Sequence, residues 1–266
     1  MQQRFMKLQG LGNDFIVMEG PALPQGLHLS DLARRLCGRH FGIGADGLIL
    51  NWPDPVAAAR MQILNADGSE PEMCGNGLRC LVRYLQLRGD NRPELQIQTG
   101  AGLRQVLSEG PQIAVNMGQP AVSPEERLDC AGQTFVFTAV SMGNPHCVIR
   151  VPELNSLDFA FWGPRLSAHV RFKAQTNVEF VEVLSPQHAR VKVWERGAGP
   201  TLACGTGACA VLAAGITGGW LAREARIELP GGSLTISWAD PATAIWMRGP
   251  AQKVFIGEIE LEEDHA

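Results

Sequence analysis

Apolar residues along this chain recur mainly in short runs broken by Gly, Asn, Asp and Pro, a pattern that predicts many strands and few helices. Phe5 to Met18 reads as two strands joined at Gly12-Asn13-Asp14. Further strands are predicted over 47–51, 61–64, 94–99, 103–107 and 112–117, then 134–141, 146–150, 177–184, 188–194, 225–229, 233–237, 243–248 and 253–261. Helical spacing occurs in four places. Ser30 is placed to cap a helix that runs through Cys37, with Leu32, Ala33, Leu36 and Cys37 on one face. After Cys74, Leu78, Leu81, Val82 and Leu85 line one side of a helix that ends near Gly89. A third helix is predicted over 157–168, with Pro164 breaking or beginning it. Ala208 to Ile216 is almost entirely small and apolar, which predicts a buried helix with a sheet wrapped around it. Gly118 to Asp129 reads as a loop between domains, and the acidic tail 262–266 is expected to fray.

The pattern repeats. Cys74-Gly75-Asn76-Gly77 returns 130 positions later as Cys204-Gly205-Thr206-Gly207, each opening an apolar helical segment. Arg60 to Asn65 and Arg190 to Glu195 each end nine positions before their cysteine. Gly12 to Val17 matches Gly143 to Val148 at an offset of 131, and Asp46 and Asn177 share that offset. Ordered blocks at nearly constant offset predict two copies of one domain, 1–120 and 121–266, with the crossover of terminal strands left open. The fold class expected is α+β, each domain a curled, mainly antiparallel sheet around a central helix.

Composition narrows the function. A net charge of -4 leaves no basic footprint for nucleic acid. No apolar run is long enough to span a membrane, and the N-terminus lacks a signal-peptide core, so a cytoplasmic protein is expected. Seven cysteines, an odd number, argue against a disulfide framework, and no Cys-x-x-Cys pair suggests zinc. No cofactor is expected. The four lysines, Lys7, Lys173, Lys192 and Lys253, lie outside the Gly-rich motifs. Gly42 to Gly47 precedes a strand and does not join strand to helix, against a dinucleotide loop.

A cysteine at a helix start is placed to become a thiolate, because unpaired N–H groups and the helix dipole favour negative charge there. The same N–H groups can hold a carboxylate, and the glycines allow close approach. Two such motifs suit racemisation, in which one thiolate removes a proton from Cα and the opposite thiol returns one. The plainer alternatives are that these cysteines are structural, that His146 is a core histidine, that Asn13, Asn65, Asn144 and Asn177 are turn or cap residues, and that Glu195-Arg196 is a surface ion pair. Cys37, Cys80, Cys130, Cys147 and Cys209 are read as buried.

The ordered set Gly12-Asn13-Asp14-Phe15, Asn65 to Glu70, Glu72 to Gly77, Met142 to Cys147, Thr176 to Glu179 and Glu195-Arg196-Gly197 leading to Leu202 to Gly207 resembles the diaminopimelate epimerase family over nearly the whole chain. The resemblance implies a cofactor-independent epimerase of LL- and meso-2,6-diaminopimelate, commonly a homodimer, with a small amino-acid substrate held in a cleft between two similar domains. It implies Cys74 and Cys204 as catalytic acid and base, aided by His146 and Glu195. Substrate contacts are implied for Asn13, Asn65, Gly75, Asn76, Asn144, Asn177, Glu195, Arg196, Gly205 and Thr206. Two positions depart from the family pattern: Gly47, where many members carry a substrate-contacting Gln, and Pro200, where Glu is frequent. The rival readings are a proline, hydroxyproline or histidine racemase, a cysteine-independent relative of the phenazine pathway, and a non-catalytic ligand-binding protein.

Overall fold

A computed structural model describes residues 2–24 and 26–261, and the acidic tail lies outside them. The chain divides into two units, Met1–Val115 with Gly249–Ala266, and Asn116–Arg248. The last segment, expected in the second domain, therefore belongs with the first. Its strand β17 (Gln252–Glu260) pairs with β1 (Gln2–Gly10) from Gln2↔Glu260 to Gln9↔Gln252.

In unit 1 the sheet runs β17, β1, β2 (Asn13–Glu19), β3 (Gly47–Trp52), β4 (Ala59–Asn65), β5 (Glu94–Thr99), β6 (Gly102–Glu109), β7 (Gln112–Asn116). The pairings are antiparallel except β2–β3 and β4–β5. In unit 2 it runs β8 (Ala121–Cys130), β9 (Gln133–Ser141), β10 (Pro145–Arg150), β11 (Asn177–Ser185), β12 (His188–Glu195), β14 (Glu224–Leu229), β15 (Gly232–Ser237), β16 (Trp246–Pro250). Here only β10–β11 and β12–β14 are parallel. The two orders match strand for strand, and a two-residue strand β13 (Gly199–Pro200) pairs with the end of β12. Strand β8 replaces the loop expected at 118–129. It pairs with β9, is largely exposed, and slips register around Pro124. An edge strand tolerates proline and charge, which hid it from hydrophobic patterning.

Each sheet curls around one helix. Helix α2 (Gly75–Leu87) packs on β17, β1, β2, β3 and β4, and α4 (Gly205–Thr217) packs on β8, β9, β10, β11, β14 and β15. Seven strands laid flat would span about 29 Å, against a helix diameter of about 10–12 Å, so strands that distant reach one helix only if the sheet wraps. Ala208 to Gly215 of α4 are all buried, as the apolar run predicts. The opposite faces carry α1 (Leu29–Cys37) in unit 1 and α3 (Phe159–Ser167) in unit 2. Leu32, Ala33, Leu36 and Cys37 pack with Leu48 and Leu50, while Leu166 packs with Val178 and Phe180.

Three local expectations change. His28, not Ser30, occupies the N-cap of α1, without a side-chain cap bond. The first hairpin turns one residue earlier, at Leu11 and Gly12, both with positive φ, as a two-residue primed turn requires; burial of the Leu11 side chain offsets its unfavourable backbone. Helix α3 continues three residues past Pro164, capped by Asp158 accepting from Phe161 N. The repeat also shifts. Phe15 pairs with Gly47, and its counterpart His146 pairs with Asn177. Asn177 thus corresponds to Gly47, not to Asp46, and Glu179 corresponds to Ile49.

Candidate active site

In unit 1, Cys74 is the N-cap of α2 and its sulfur accepts from Gly77 N at 3.4 Å. A Cβ on Gly77 would lie 3.0 Å from Ile63 and 3.2 Å from Ile49, so glycine lets the helix start sit close on the sheet. Asn76, 3% exposed, donates to Asn13 Oδ1 at 3.2 Å and accepts from the fully buried Arg79 at 3.0 Å. Asn13 donates in turn to Asp46 at 2.9 Å. Asp46 also accepts from Asp14 N and pairs with Arg39 at 2.9 Å. Asn13 and Asn76 are therefore oriented by one network, starting from a helix start and a hairpin. Asn65 is exposed, and its side chain donates to Ser69 Oγ within a turn that also ties Asn65 N to Ser69 O.

In unit 2, Cys204 caps α4 in the same way, accepting from Gly207 N at 3.3 Å, with the Thr206 hydroxyl 3.6 Å from the sulfur. Gly205 and Thr206 form the first turn of the helix. His146 on β10 meets Glu179 on β11 at 2.7 Å through Nδ1 and Asn144 Oδ1 at 3.1 Å through Nε2. Asn144 donates to Thr206 at 3.3 Å. Asn177 donates to Pro145 O and accepts from Arg196 N, both at 2.9 Å, tying the start of β10 to the end of β12. Glu195 accepts from Thr201 at 2.5 Å. The Arg196 guanidinium donates to Ala174 O and makes no ion pair with a carboxylate among the described residues, so Glu195-Arg196 is not a surface pair. All five other cysteines are buried, and burial holds the thiols of Cys37 and Cys80 up at about 12.

The electrostatics of unit 2 correct the simple thiolate expectation. The Cys204 thiol is pushed well above its ordinary range, first by burial, then by the Glu195 and Glu179 carboxylates; Thr206 and Gly207 N oppose this. A helix N-terminus contributes about 0.3–1 kcal/mol, whereas burying an unpaired ion costs several, so in the free protein the proton stays on sulfur. The Glu195 carboxyl is also raised, chiefly by burial and further by Glu179, against the hydrogen bonds of Thr201 and Cys204 and the influence of His146. This half is acid-rich and suits a cationic ligand group.

Glu179, Asp46, Arg79 and Thr201 were not among the expected site residues. Glu179 had a readable signal: an acid between Val178 and Phe180, two positions after Asn177 and so on the same face of the strand. Gly47 has a structural cause. A Cβ there would lie 2.8 Å from Leu64 O and 3.2 Å from the Phe15 ring, which leaves no room for a glutamine stem. Pro200 is exposed on β13, opposite Trp194.

The family model for diaminopimelate epimerase matches residues 5–122 and 138–254. The chain is 47% identical to a diaminopimelate epimerase of Desulforudis audaxviator, over 96% of this chain and 98% of that protein. It is 48% identical to one of Desulfitobacterium hafniense, over 95% and 96%. Among solved structures, its fold resembles a PhzF-family phenazine biosynthesis protein of Bacillus anthracis, with TM-score 0.77, 15% identity and coverage of 98% and 100%. It also resembles a hydroxyproline epimerase of Agrobacterium vitis with bound trans-4-hydroxy-L-proline, with TM-score 0.73, 16% identity and coverage of 99% and 94%. At such identities the structures speak for the fold alone, while the sequence match runs through both halves and takes in both cysteine-capped helices: the chain belongs to the diaminopimelate epimerase family of isomerases.

Proposed function

We propose that this protein interconverts LL- and meso-2,6-diaminopimelate without a cofactor, using Cys74 and Cys204 as acid and base at Cα. The observation that carries the reading is the cysteine N-cap in each unit, its sulfur accepting from the third residue of a glycine-bearing helix start. The N–H groups at Gly75, Asn76, Gly205 and Thr206 are suited to the reacting carboxylate. Glu195 and the oxygens of Asn13, Asn65, Asn144 and Asn177 are suited to ammonium groups. Arg196, which makes no ion pair with a carboxylate among the described residues, is suited to the distal carboxylate in a bidentate pair.

The resting enzyme offers Cys204 as the acid. Its conversion to a base is assisted by the substrate itself. An ammonium about 4 Å away contributes roughly 4 kcal/mol at an effective dielectric of 20, near three pK units, more than the helix terminus alone. One sulfur takes the Cα proton, the electron pair stays on the carbanion beside the held carboxylate, and the other sulfur delivers its proton to the opposite face; the two exchange roles in the reverse direction. His146 supports this chemistry next to Asn144. An odd count of seven cysteines suits a reducing, cytoplasmic compartment, and the family resemblance supports a homodimer acting in lysine and peptidoglycan precursor synthesis.

The test is epimerisation of LL-diaminopimelate in D₂O, beside proline, hydroxyproline and histidine. Turnover of diaminopimelate with deuterium entering Cα is expected. Preference for another amino acid, or full retention of the original hydrogen, overturns the reading.

A further inference from the structure

A chain of polar contacts in unit 2 begins at a buried carboxylate and ends on a sulfur. It runs from Glu179 Oε1 to His146 Nδ1 (2.7 Å), from His146 Nε2 to Asn144 Oδ1 (3.1 Å), from Asn144 Nδ2 to Thr206 Oγ1 (3.3 Å), and from Thr206 Oγ1 to Cys204 Sγ (3.6 Å). The side chains of Glu179 and His146 are wholly shut off from solvent, and Glu179 Oε2 has no hydrogen-bond partner among the described residues. Packing does not call for this pair. Unit 1 builds the same sheet with Phe15 and Ile49 at the corresponding places, both buried. Gly207 keeps the region open, since a Cβ there would lie 2.8 Å from Glu179 Oε1 and 3.2 Å from Cys204 Sγ.

The buried end sets the direction of the chain, because the Thr206 hydroxyl has one hydrogen to give. A ring protonated on both nitrogens donates to Glu179 and to Asn144 Oδ1. Asn144 then donates from Nδ2 to Thr206, and the hydroxyl hydrogen turns to the sulfur. A ring protonated only at Nδ1 leaves Nε2 bare. Asn144 turns its amide over, donates to the ring and offers its carbonyl to Thr206. The hydroxyl now donates to that carbonyl, and the sulfur loses a donor that favours the thiolate.

We propose that Glu179 is a positioning residue for proton transfer at Cys204: paired with a His146 ring that carries hydrogen on both nitrogens, it holds the Asn144 amide and the Thr206 hydroxyl in the direction that donates to the sulfur. This rests on the reading of Cys204 as an acid–base group. Glu179 acts only through its neighbours, since it has no exposed side-chain surface.

The pH midpoint of Cys204 alkylation by iodoacetamide, followed by peptide mass spectrometry, tests this without turnover. The proteins are wild type, Glu179→Gln, Thr206→Val, their combination, and Thr206→Ser. Loss of the Glu179 charge lowers the midpoint through its field whatever stands at 206. Loss of the relay raises it only where 206 carries a hydroxyl. Glu179→Gln is therefore expected to lower the midpoint further in the Val background than in the Thr background, by roughly half a pH unit, about three-fold in thiolate population. Thr206→Ser keeps the hydroxyl and is expected to retain the wild-type midpoint. Glu195, which also faces the sulfur, is unchanged throughout. Equal shifts in the two backgrounds overturn the proposal. Should thermal melts show Glu179→Gln unfolded, Thr206→Val against wild type decides: a raised midpoint supports the relay and an unmoved one overturns it. Failure of the functional reading shows separately, as a wild type that does not epimerise diaminopimelate.

Discussion

His146 and Glu179 meet at 2.7 Å with neither side chain exposed, at the places held by Phe15 and Ile49 in the other unit. Removing one partner from a buried pair costs about 3–5 kcal/mol, whereas apolar replacement of both is often neutral or stabilising. His146→Phe alone is therefore expected to destabilise strongly. His146→Phe combined with Glu179→Ile recovers most of that loss, while turnover stays impaired. Urea unfolding midpoints and epimerisation rates, measured together, check this. A double variant as unstable as the single one contradicts it.

Gly47 sits where a Cβ meets Leu64 O at 2.8 Å. Gly47→Gln, which restores the residue frequent in the family, is expected to destabilise by about 1–3 kcal/mol through overpacking, without lowering KM for diaminopimelate. Chemical denaturation and steady-state kinetics read the two effects separately.

Cys74→Ser and Cys204→Ser are each expected to slow epimerisation by about 10²-fold or more, the usual contribution of a positioned acid or base. A hydroxyl ionises far less readily than a thiol, yet both variants keep an oxygen able to accept at the helix N-cap and so should remain folded. Near-wild-type turnover in either variant would remove that thiol from the mechanism.

Alkaline pH should weaken the fold. Unfolded thiols ionise near 9, while burial holds Cys37 and Cys80 protonated in the folded state up to about 12, and Cys147 and Cys204 are raised as well. Between those values the folded chain binds more protons than the unfolded one, so stability falls as pH rises, by about 1 kcal/mol per group at pH 10. A melting temperature unchanged between pH 8 and pH 10 would exclude this.

Much of the candidate site was legible locally. Cys74 and Cys204 cap helices because a short polar side chain followed by glycine satisfies the first N–H groups of its own chain, needing no distant partner. The paired halves, and the all-buried helix from Ala208 to Gly215, were readable for the same reason: period and composition belong to the segment. Strand β8 was not readable, since its pairing is carried by backbone hydrogen bonds at an exposed edge, where side-chain pattern is weakly constrained.

The sequence by itself determined the duplicated plan, the positions of the two sulfurs and the family. Tertiary structure alone decided the strand register that puts Glu179 opposite Ile49 in the repeat, the joining of β17 to the first unit, and the protonation of Cys204. The physical reason is range. Helix capping and hydrophobic period act over a few residues, but register, burial and the field of two carboxylates depend on segments brought together only by folding.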